Sequence, residues 1–426
     1  MTDGLAKSLG VVRGTALMLN IVIGAGLLTL PGLAVEQAGG YAFAAWLACG
    51  VCAVPLLGVF IVLGKRYPEA GGISAYARRA FGPLGERIAS LLFLGAVIFG
   101  LPAIALTGGH YVAAVFGGSP RFYAAGLILC AMIPHLVPGT AAARVMAWLA
   151  SLVLGAVVAF LVVGIVSAAA RPMHLPIVFP SFSHIGILTS PFMMLFFAFT
   201  GWEVGAGIAE EFRNPTRDYP IAMGLSFVIA SILYLGIAYV AQDIDISGSY
   251  VSPFVAIAQP SLGKLGVTMV AGVAAVIIFA NLSGAVWGVS RMVYGLGRDG
   301  VLPSVLGDTT GGRPVTAVVA TIGVLLLVLL LSGLGFIGIG KMFSLAGQNF
   351  LILYGIAALV ILKLCKSVFE KSLSVFVLVG SLVILSWQGK SVLYPLFIII
   401  LSLFLTLIQR NRPTILSSER KTDACG

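Results

Sequence analysis

The feature that most constrains this chain is a succession of long apolar segments, separated by charged or Pro- and Gly-rich joints. A helix needs about 20 apolar residues to cross the ~30 Å hydrocarbon core of a bilayer. Only 9% of the residues are charged, whereas a water-facing protein needs about a quarter. We therefore predict an all-α integral membrane protein with about 12 spans, at residues 14–35, 41–63, 88–115, 123–138, 146–168, 186–208, 220–240, 265–290, 315–336, 342–362, 372–387 and 392–409.

The basic residues predict the orientation of these spans. If the N-terminus lies in the cytoplasm, twenty of the 25 Lys and Arg residues fall on the cytoplasmic side, which is the bias that cytoplasmic loops show. The distribution favours a bacterial inner-membrane protein with both termini, including the tail 410–426, in the cytoplasm. It also argues against nucleic-acid binding, which needs cations clustered on one solvated face. The five cations on the opposite side are Arg121, Arg171, Lys264, Lys341 and Lys390.

Glu203 is the one formally charged residue inside the predicted spans. An ionised carboxylate at mid-bilayer costs roughly 2.5–3.5 kcal/mol on insertion scales, so such a residue is a candidate for function. One interpretation is that Glu203 titrates during a transport cycle. The other is a structural glutamate that is protonated or bonded to nearby backbone. A single intramembrane acid is too few for a membrane-embedded enzyme, and no metal or cofactor site is predicted.

Two spans carry the signals of an interrupted helix. The first contains Gly24-Ala25-Gly26, and the sixth contains Thr200-Gly201. Glycines in membrane helices also serve close helix packing. However, unpaired backbone at membrane depth is tolerated only beside a cavity, and two interrupted spans at corresponding positions indicate an inverted-repeat transporter with its substrate between the breaks.

Four ordered motifs resemble those of the amino acid–polyamine–organocation superfamily. They are Ile23-Gly24-Ala25-Gly26 in the first span, residues 65–72 with 80–83 after the second, residues 201–203 with 210–217 and Pro220 after the sixth, and residues 290–303 after the eighth. The resemblance covers about residues 10–362. Residues 99–103 and 387–391 are similar to those of bacterial methionine and branched-chain amino-acid exporters within the superfamily.

This resemblance implies one transmembrane domain, residues 1–426, that contains two inverted five-helix repeats, at about 10–170 and 185–363. Two peripheral helices, at about 371–409, follow. It also implies that the substrate carboxylate meets N–H groups of the first break and its ammonium meets carbonyls of the sixth. Phe197 becomes a candidate gating aromatic or an ordinary packed Phe, and Glu203 a coupling or gating group. The predicted substrate-binding residues are Gly24, Ala25, Gly26, Leu27, Phe197, Ala198, Thr200, Gly201 and Trp202.

The predicted spans contain no Lys, Arg or Asp, so a neutral, apolar substrate side chain fits best. We therefore predict a secondary transporter of methionine, leucine, isoleucine or valine that works by alternating access. Its direction is export on the resemblance alone, and protons are its candidate coupling partner. Side chains that would either form the pocket or simply pack are Met193, Met194, Phe199, Trp202 and Trp287.

Several alternatives stay open at this point. Some proton-coupled relatives have a lysine in the fifth span, where residues 146–168 contain none; Glu203 would take its place, or Asn281 and Ser283 would serve sodium coupling. An importer or exchanger of the same fold, a channel and an amino-acid-sensing membrane protein are the competing functions.

The remaining polar residues are weaker candidates. Gln348 and Asn349 would be either pathway groups or interhelical hydrogen-bonding groups. The histidines lack the spacing of metal ligands and are predicted to be interfacial; they are His110, His135, His174 and His184.

Overall fold

The computed structural model describes residues 7, 9–24, 26–68, 72–136, 155, 176–181, 186–243, 246, 250–310 and 313–410. Within these residues the only β-type pairings are two isolated bridges, Leu9 with Phe212 and Thr310 with Arg313. Helices dominate because a backbone in lipid must satisfy its own hydrogen bonds. The helices are α1 Val11–Val22, α2 Gly26–Ala38, α3 Ala42–Arg66, α4 Gly72–Phe116, α5 Pro120–Leu136, α6 Thr189–Phe196, α7 Trp202–Ala206, α8 Asp218–Asp243, α9 Pro253–Arg298, α10 Val315–Gly333, α11 Ile339–Leu364, α12 Val368–Ser386 and α13 Leu393–Arg410.

Most predicted spans coincide with these helices. Nine helical segments of the described residues are long and apolar enough to cross a membrane, and one of the nine combines α2 with α3. The first predicted span is divided into α1 and α2, and the sixth into α6 and α7. The fifth, residues 146–168, lies outside the described residues. The all-α membrane fold with discontinuous first and sixth spans is thereby confirmed, whereas the two inverted repeats stay a prediction.

Contacts between residues far apart in the sequence connect the ends of several described helices. On the side that holds the N-terminus, Arg66 at the end of α3 pairs with Glu370 at the start of α12 at 2.8 Å. On the same side, Arg87 donates to the Thr406 hydroxyl near the end of α13 at 2.7 Å. On the opposite side, Gly333 at the end of α10 lies against Arg121 at the start of α5. The order and orientation of the spans predicted from the basic residues stay a prediction.

The last two helices pack on the outside of the bundle. α12 and α13 expose many large apolar side chains, among them Phe376, Leu382, Phe397 and Phe404, as lipid-facing helices do. The Tyr394 hydroxyl nevertheless donates to the Gly95 carbonyl of α4 at 2.9 Å. The pair is therefore peripheral but tied to the core of the bundle.

A second contact connects Gln348 of α11 with the turn between α12 and α13. The Gln348 amide is buried and donates to Ser391 Oγ at 3.0 Å and to Gln388 Oε1 at 3.3 Å. Of the two open interpretations of Gln348, this geometry favours an interhelical hydrogen bond. Asn349, also buried, donates to the Leu345 carbonyl one turn earlier at 2.8 Å.

A glycine sets the closest approach between α4 and α5. A Cβ atom added at Gly109 would overlap the Pro120 carbonyl oxygen and lie 3.1 Å from the Ala124 nitrogen. Both of these are backbone atoms at the start of α5, so they cannot turn aside as a flexible side chain would. The packing of α5, which supplies part of the cavity wall described below, therefore depends on the absence of a side chain at position 109.

We expect Gly109→Ala to destabilise the protein by about 1–3 kcal/mol, since overpacking of a tight contact costs that much. The thermal unfolding midpoint of the detergent-purified protein measures the effect. Gly126→Ala in α5 is the matched control, because an added Cβ there meets no atom within 4 Å. Equal midpoints for the two variants would show that the contact between α4 and α5 is not constrained by Gly109.

Candidate functional site

The break in the first span separates α1 from α2. Ile23 leaves the helix with φ −76° and ψ 95°, while its N–H still donates to the Leu19 carbonyl at 2.7 Å. The Leu27 N–H donates to the Gly24 carbonyl at 3.2 Å. Since α2 begins at Gly26, the N–H groups of its first turn point toward the break without partners inside the helix.

The break in the sixth span has a different geometry. A 3₁₀ turn, Phe197–Phe199, follows α6, and Thr200 is extended. Both the N–H and the hydroxyl of Thr200 donate to the Phe197 carbonyl, at 3.2 and 2.7 Å. Gly201 has φ +109°, which side-chain-bearing residues rarely adopt. The two donors occupy both lone pairs of the Phe197 carbonyl, so a ligand ammonium would have to use the other carbonyls of the break.

The two breaks lie side by side and run in opposite directions. A Cβ added at Gly26 would lie 3.5 Å from Ala198 Cβ, and one added at Gly201 would lie 3.3 Å from a Val22 methyl group. Gly26, after the first break, thus lies against Ala198, before the second break. In the same way Gly201, after the second break, lies against Val22, before the first. Such a crossing places the free backbone groups of both spans in one region.

A cavity of about 710 Å³ lies at this crossing, within the roughly 300–1,000 Å³ of small-molecule sites. α4, α5, α9 and α11 contribute the other described parts of its wall, with mostly apolar side chains. Among the described residues that line it, Glu203 is the one carboxylate and none is Lys or Arg. The apolar contributions include Phe93, Ala96, Val97, Leu101, Ile104, Ile277 and Phe350.

Glu203 lies buried in this wall, with 2% of its surface exposed. Its Oε2 atom accepts hydrogen bonds from the Tyr354 hydroxyl at 2.7 Å and from the Gly201 N–H at 3.0 Å. Edge-to-face contacts with Phe60 and Phe196 fix the Tyr354 ring. The carboxylate thus caps the start of α7 and ties the sixth span to α11. These bonds agree with the structural interpretation of Glu203. Titration of the group during transport stays a prediction.

Phe197 borders the cavity at its end away from the side of the membrane on which α1 begins. Its ring centroid lies 5.0 Å from that of Phe343 and 6.2 Å from that of Phe350. A Cβ added at Gly100 would come within 3.0 Å of the Phe197 ring, so the glycine leaves room for it. This position is compatible with a gate, which remains a prediction.

The structure brings most of the predicted site residues together. Ala25 lies outside the described residues. Leu27 and Trp202 are 1% exposed and are not among the lining residues; the Trp202 ring packs against Phe227. Substrate contact by any predicted residue is still a prediction. The predicted residues that do line the cavity are Gly24, Gly26, Phe197, Ala198, Thr200, Gly201 and Glu203.

For the side chains expected either to form the pocket or to pack, the two possibilities can now be compared. Met193, Met194, Phe199 and Trp202 are buried and are not among the lining residues, which agrees with packing, whereas Trp287 lines the cavity. His135, expected at the interface, is 8% exposed and lines the cavity. Its position within the fourth predicted span was the available signal, but an apolar helix gives little indication of which face is inward.

Comparison with known proteins identifies the family. A profile described as "Amino acid permease" matches residues 9–415. The chain belongs to this family, a branch of the amino acid–polyamine–organocation superfamily. The permease is therefore a multi-pass membrane protein of a transporter family, and amino acids are its class of substrate.

Three relatives are similar over most of their length. The uncharacterized amino acid permease YecA of Bacillus subtilis (strain 168) is 29% identical over 93% of this chain and 94% of its own. The L-methionine/branched-chain amino acid exporter YjeH of Escherichia coli (strain K12) is 30% identical over 68% of this chain and 70% of its own. The inner membrane transport protein YbaT of the same organism is 23% identical over 96% and 98%.

We expect Gly201→Ala in this permease to cost at least about 1–2 kcal/mol, the penalty of a left-handed backbone for a residue with a Cβ. The thermal unfolding midpoint of the purified protein should fall accordingly. Gly205→Ala is the control, since it lies in the same short helix α7 and its added Cβ would make an ordinary 3.6 Å contact with Met223. A Gly201→Ala midpoint no lower than that of the control would contradict the geometry of the break.

Proposed function

We propose that this permease transports amino acids with neutral, apolar side chains across a bacterial inner membrane by alternating access. The observation that carries the proposal is the composition of the cavity wall at the two breaks. An amino acid needs groups for its carboxylate and ammonium, which backbone N–H and carbonyl groups of broken helices supply. Beyond the breaks, the described wall is mostly apolar, with His135, Asn281 and Ser283 as polar members, and it contains no Lys or Arg for an acidic side chain.

The direction we propose is export of methionine, leucine, isoleucine and valine. The name of YjeH, an L-methionine/branched-chain amino acid exporter, supports both the substrates and the direction. The cavity extends toward the side that holds the N-terminus, since Leu17 of α1, Phe93 of α4 and Trp287 of α9 line it there. The distribution of basic residues predicts that this side is cytoplasmic. An exporter binds its substrate from that side and an importer releases it there, so the proposed direction rests on the similarity to YjeH.

Counterflow in liposomes tests the substrate class. The purified permease, preloaded with unlabelled L-methionine, should accumulate labelled L-methionine in a saturable manner. Leucine, isoleucine and valine should compete, whereas lysine and glutamate should not, because desolvating a charged side chain in an apolar pocket is costly. Protein-free liposomes are the control. Absence of saturable exchange would contradict transport, and equal competition by lysine would contradict the apolar pocket.

For the coupling ion, we propose that Glu203 gains and loses a proton during the cycle. It is the one carboxylate among the cavity-lining residues and it is directly bonded to the sixth-span break. Release or uptake of a proton there would alter the bonds that hold Gly201 and Tyr354. A change of protonation at this position would therefore change the geometry of the site.

Glu203→Gln separates titration from capping. The glutamine carbonyl oxygen can still accept from Tyr354 and Gly201, so the fold and counterflow should be retained. Accumulation driven by a pH gradient should be abolished, because the amide does not titrate. Glu203→Ala, which loses both hydrogen bonds, is the comparison for loss of the cap. If Glu203→Gln kept pH-driven transport with an unchanged pH profile, the proposed coupling role would be wrong.

A further inference from the structure

One face of α9 forms a continuous side of the cavity. Ile277, Asn281, Gly284 and Gly288 follow one another at helical spacing, and all four line the cavity. A Cβ added at Gly284 or Gly288 would meet no atom of the described residues within 4 Å. Within the described part of the chain, the two glycines therefore leave an open path beside the helix, from the middle of the membrane toward the N-terminal side.

The inner end of this path lies at the first-span break. A Cβ added at Gly24 would lie 2.6 Å from the Asn281 side-chain nitrogen. The amide of Asn281 is thus in direct contact with the backbone at the break. A ligand that moves along α9 arrives where the N–H groups of the first turn of α2 are available.

The other end of the path, toward the N-terminal side of the membrane and called its outer end below, lies next to a cation that is held in a fixed orientation. The guanidinium carbon of Arg291 lies 3.2 Å from the centroid of the Trp287 ring, and Arg291 Nη1 donates to the Trp287 carbonyl at 3.0 Å. Trp287 itself lines the cavity and is 40% exposed. Stacking on an aromatic face fixes the plane of a guanidinium and leaves its edge free for a carboxylate.

A second basic side chain lies beside this stack. His135 of α5 is centred 5.5 Å from the Trp287 ring, and its Nε2 lies 3.1 Å from the Ser283 carbonyl. Fixed in this way, the imidazole is one of the few polar groups of a mostly apolar wall. Both His135 and Arg291 thus contact the Trp287 ring at this end of the path.

Arg291 has no carboxylate partner among the described residues, which distinguishes it from the next arginine of the helix. Arg298 lies over the Tyr294 ring at 5.9 Å but is paired with Asp299 at 3.7 Å. An unpaired cation at the mouth of a cavity attracts anions and raises their rate of association. The anion that the proposed function brings to this mouth is the substrate carboxylate.

We propose that Arg291, held on Trp287, is a docking site for the carboxylate of the amino acid on the N-terminal side of the membrane. The carboxylate binds the guanidinium edge first and then moves along the glycine face of α9 to the first-span break. Arg291 is thus a second binding station, separate from the site between the breaks. This inference rests on the proposed function.

The test measures the concentration dependence of transport from each side of the membrane separately. Proteoliposomes with one orientation, selected by protease accessibility of a terminal tag, receive labelled L-methionine on either side. For Arg291→Gln we expect the half-saturation concentration on the N-terminal side to rise about five- to tenfold at low salt, with that on the opposite side unchanged. The difference from wild type should shrink in high salt, where wild-type attraction is screened.

Two further variants define the contribution of charge and geometry. Arg291→Lys keeps the charge but loses the planar fork, so its half-saturation concentration should lie between those of wild type and Arg291→Gln. Arg298→Gln is the matched control, because it removes an arginine from the same helix where the charge is already paired. Its half-saturation concentration should equal that of wild type on both sides.

Several results would overturn the inference. They are a value for Arg291→Gln equal to that of Arg298→Gln, an equal rise on both sides, or an effect that vanishes in vesicles of phosphatidylcholine alone. The last result would assign Arg291 to the phosphate of an anionic lipid. Failure of the wild-type permease to exchange methionine would instead contradict the proposed function, so the two failures are distinguishable.

Discussion

The satisfaction of backbone hydrogen bonds in lipid is the constraint on which this structure depends. A helix satisfies them automatically, and each interruption creates donors and acceptors that need another partner. In the first span the Leu27 N–H uses the Gly24 carbonyl, and in the sixth the Phe197 carbonyl takes both donors of Thr200. The other backbone N–H and carbonyl groups of the two breaks belong to residues that line the cavity. The position of the candidate site therefore follows from where the two helices are broken.

Glu203 both accepts a backbone hydrogen bond at the sixth-span break and lines the cavity. A buried carboxylate is costly in lipid, and the Gly201 N–H and the Tyr354 hydroxyl offset that cost. The same bonds hold the left-handed Gly201 and connect the sixth span to α11. A structural role and a coupling role are therefore not exclusive, because a group that caps a break can change the break when its own charge changes.

The sequence predicted those features whose signals are local. Span positions follow from hydropathy, and the break at Thr200-Gly201 follows from a small polar and glycine step directly before an acid. Glu203 was conspicuous because charge is rare in a span. By contrast, the partnership of Glu203 with Tyr354 joins residues 151 positions apart, and no local pattern indicates it. His135 was misplaced, and the choice between pocket and packing for Met193 could not be made, because a helix that is apolar all round has no polar face from which its inward side could be told.

The described contacts on the side away from the N-terminus differ in kind from those at the breaks. The Tyr111 hydroxyl donates to the Leu28 carbonyl at 2.7 Å, Gly32 lies against the Tyr250 carbonyl, and Phe197 packs on Phe343. The proposed alternating access requires these contacts to loosen while the site itself persists. Aromatic packing and single hydrogen bonds separate at modest cost, whereas the crossing of Gly26 with Ala198 carries the free backbone groups of both spans. Under the proposed mechanism, the described contacts thus divide into a crossing that is kept and peripheral contacts that separate.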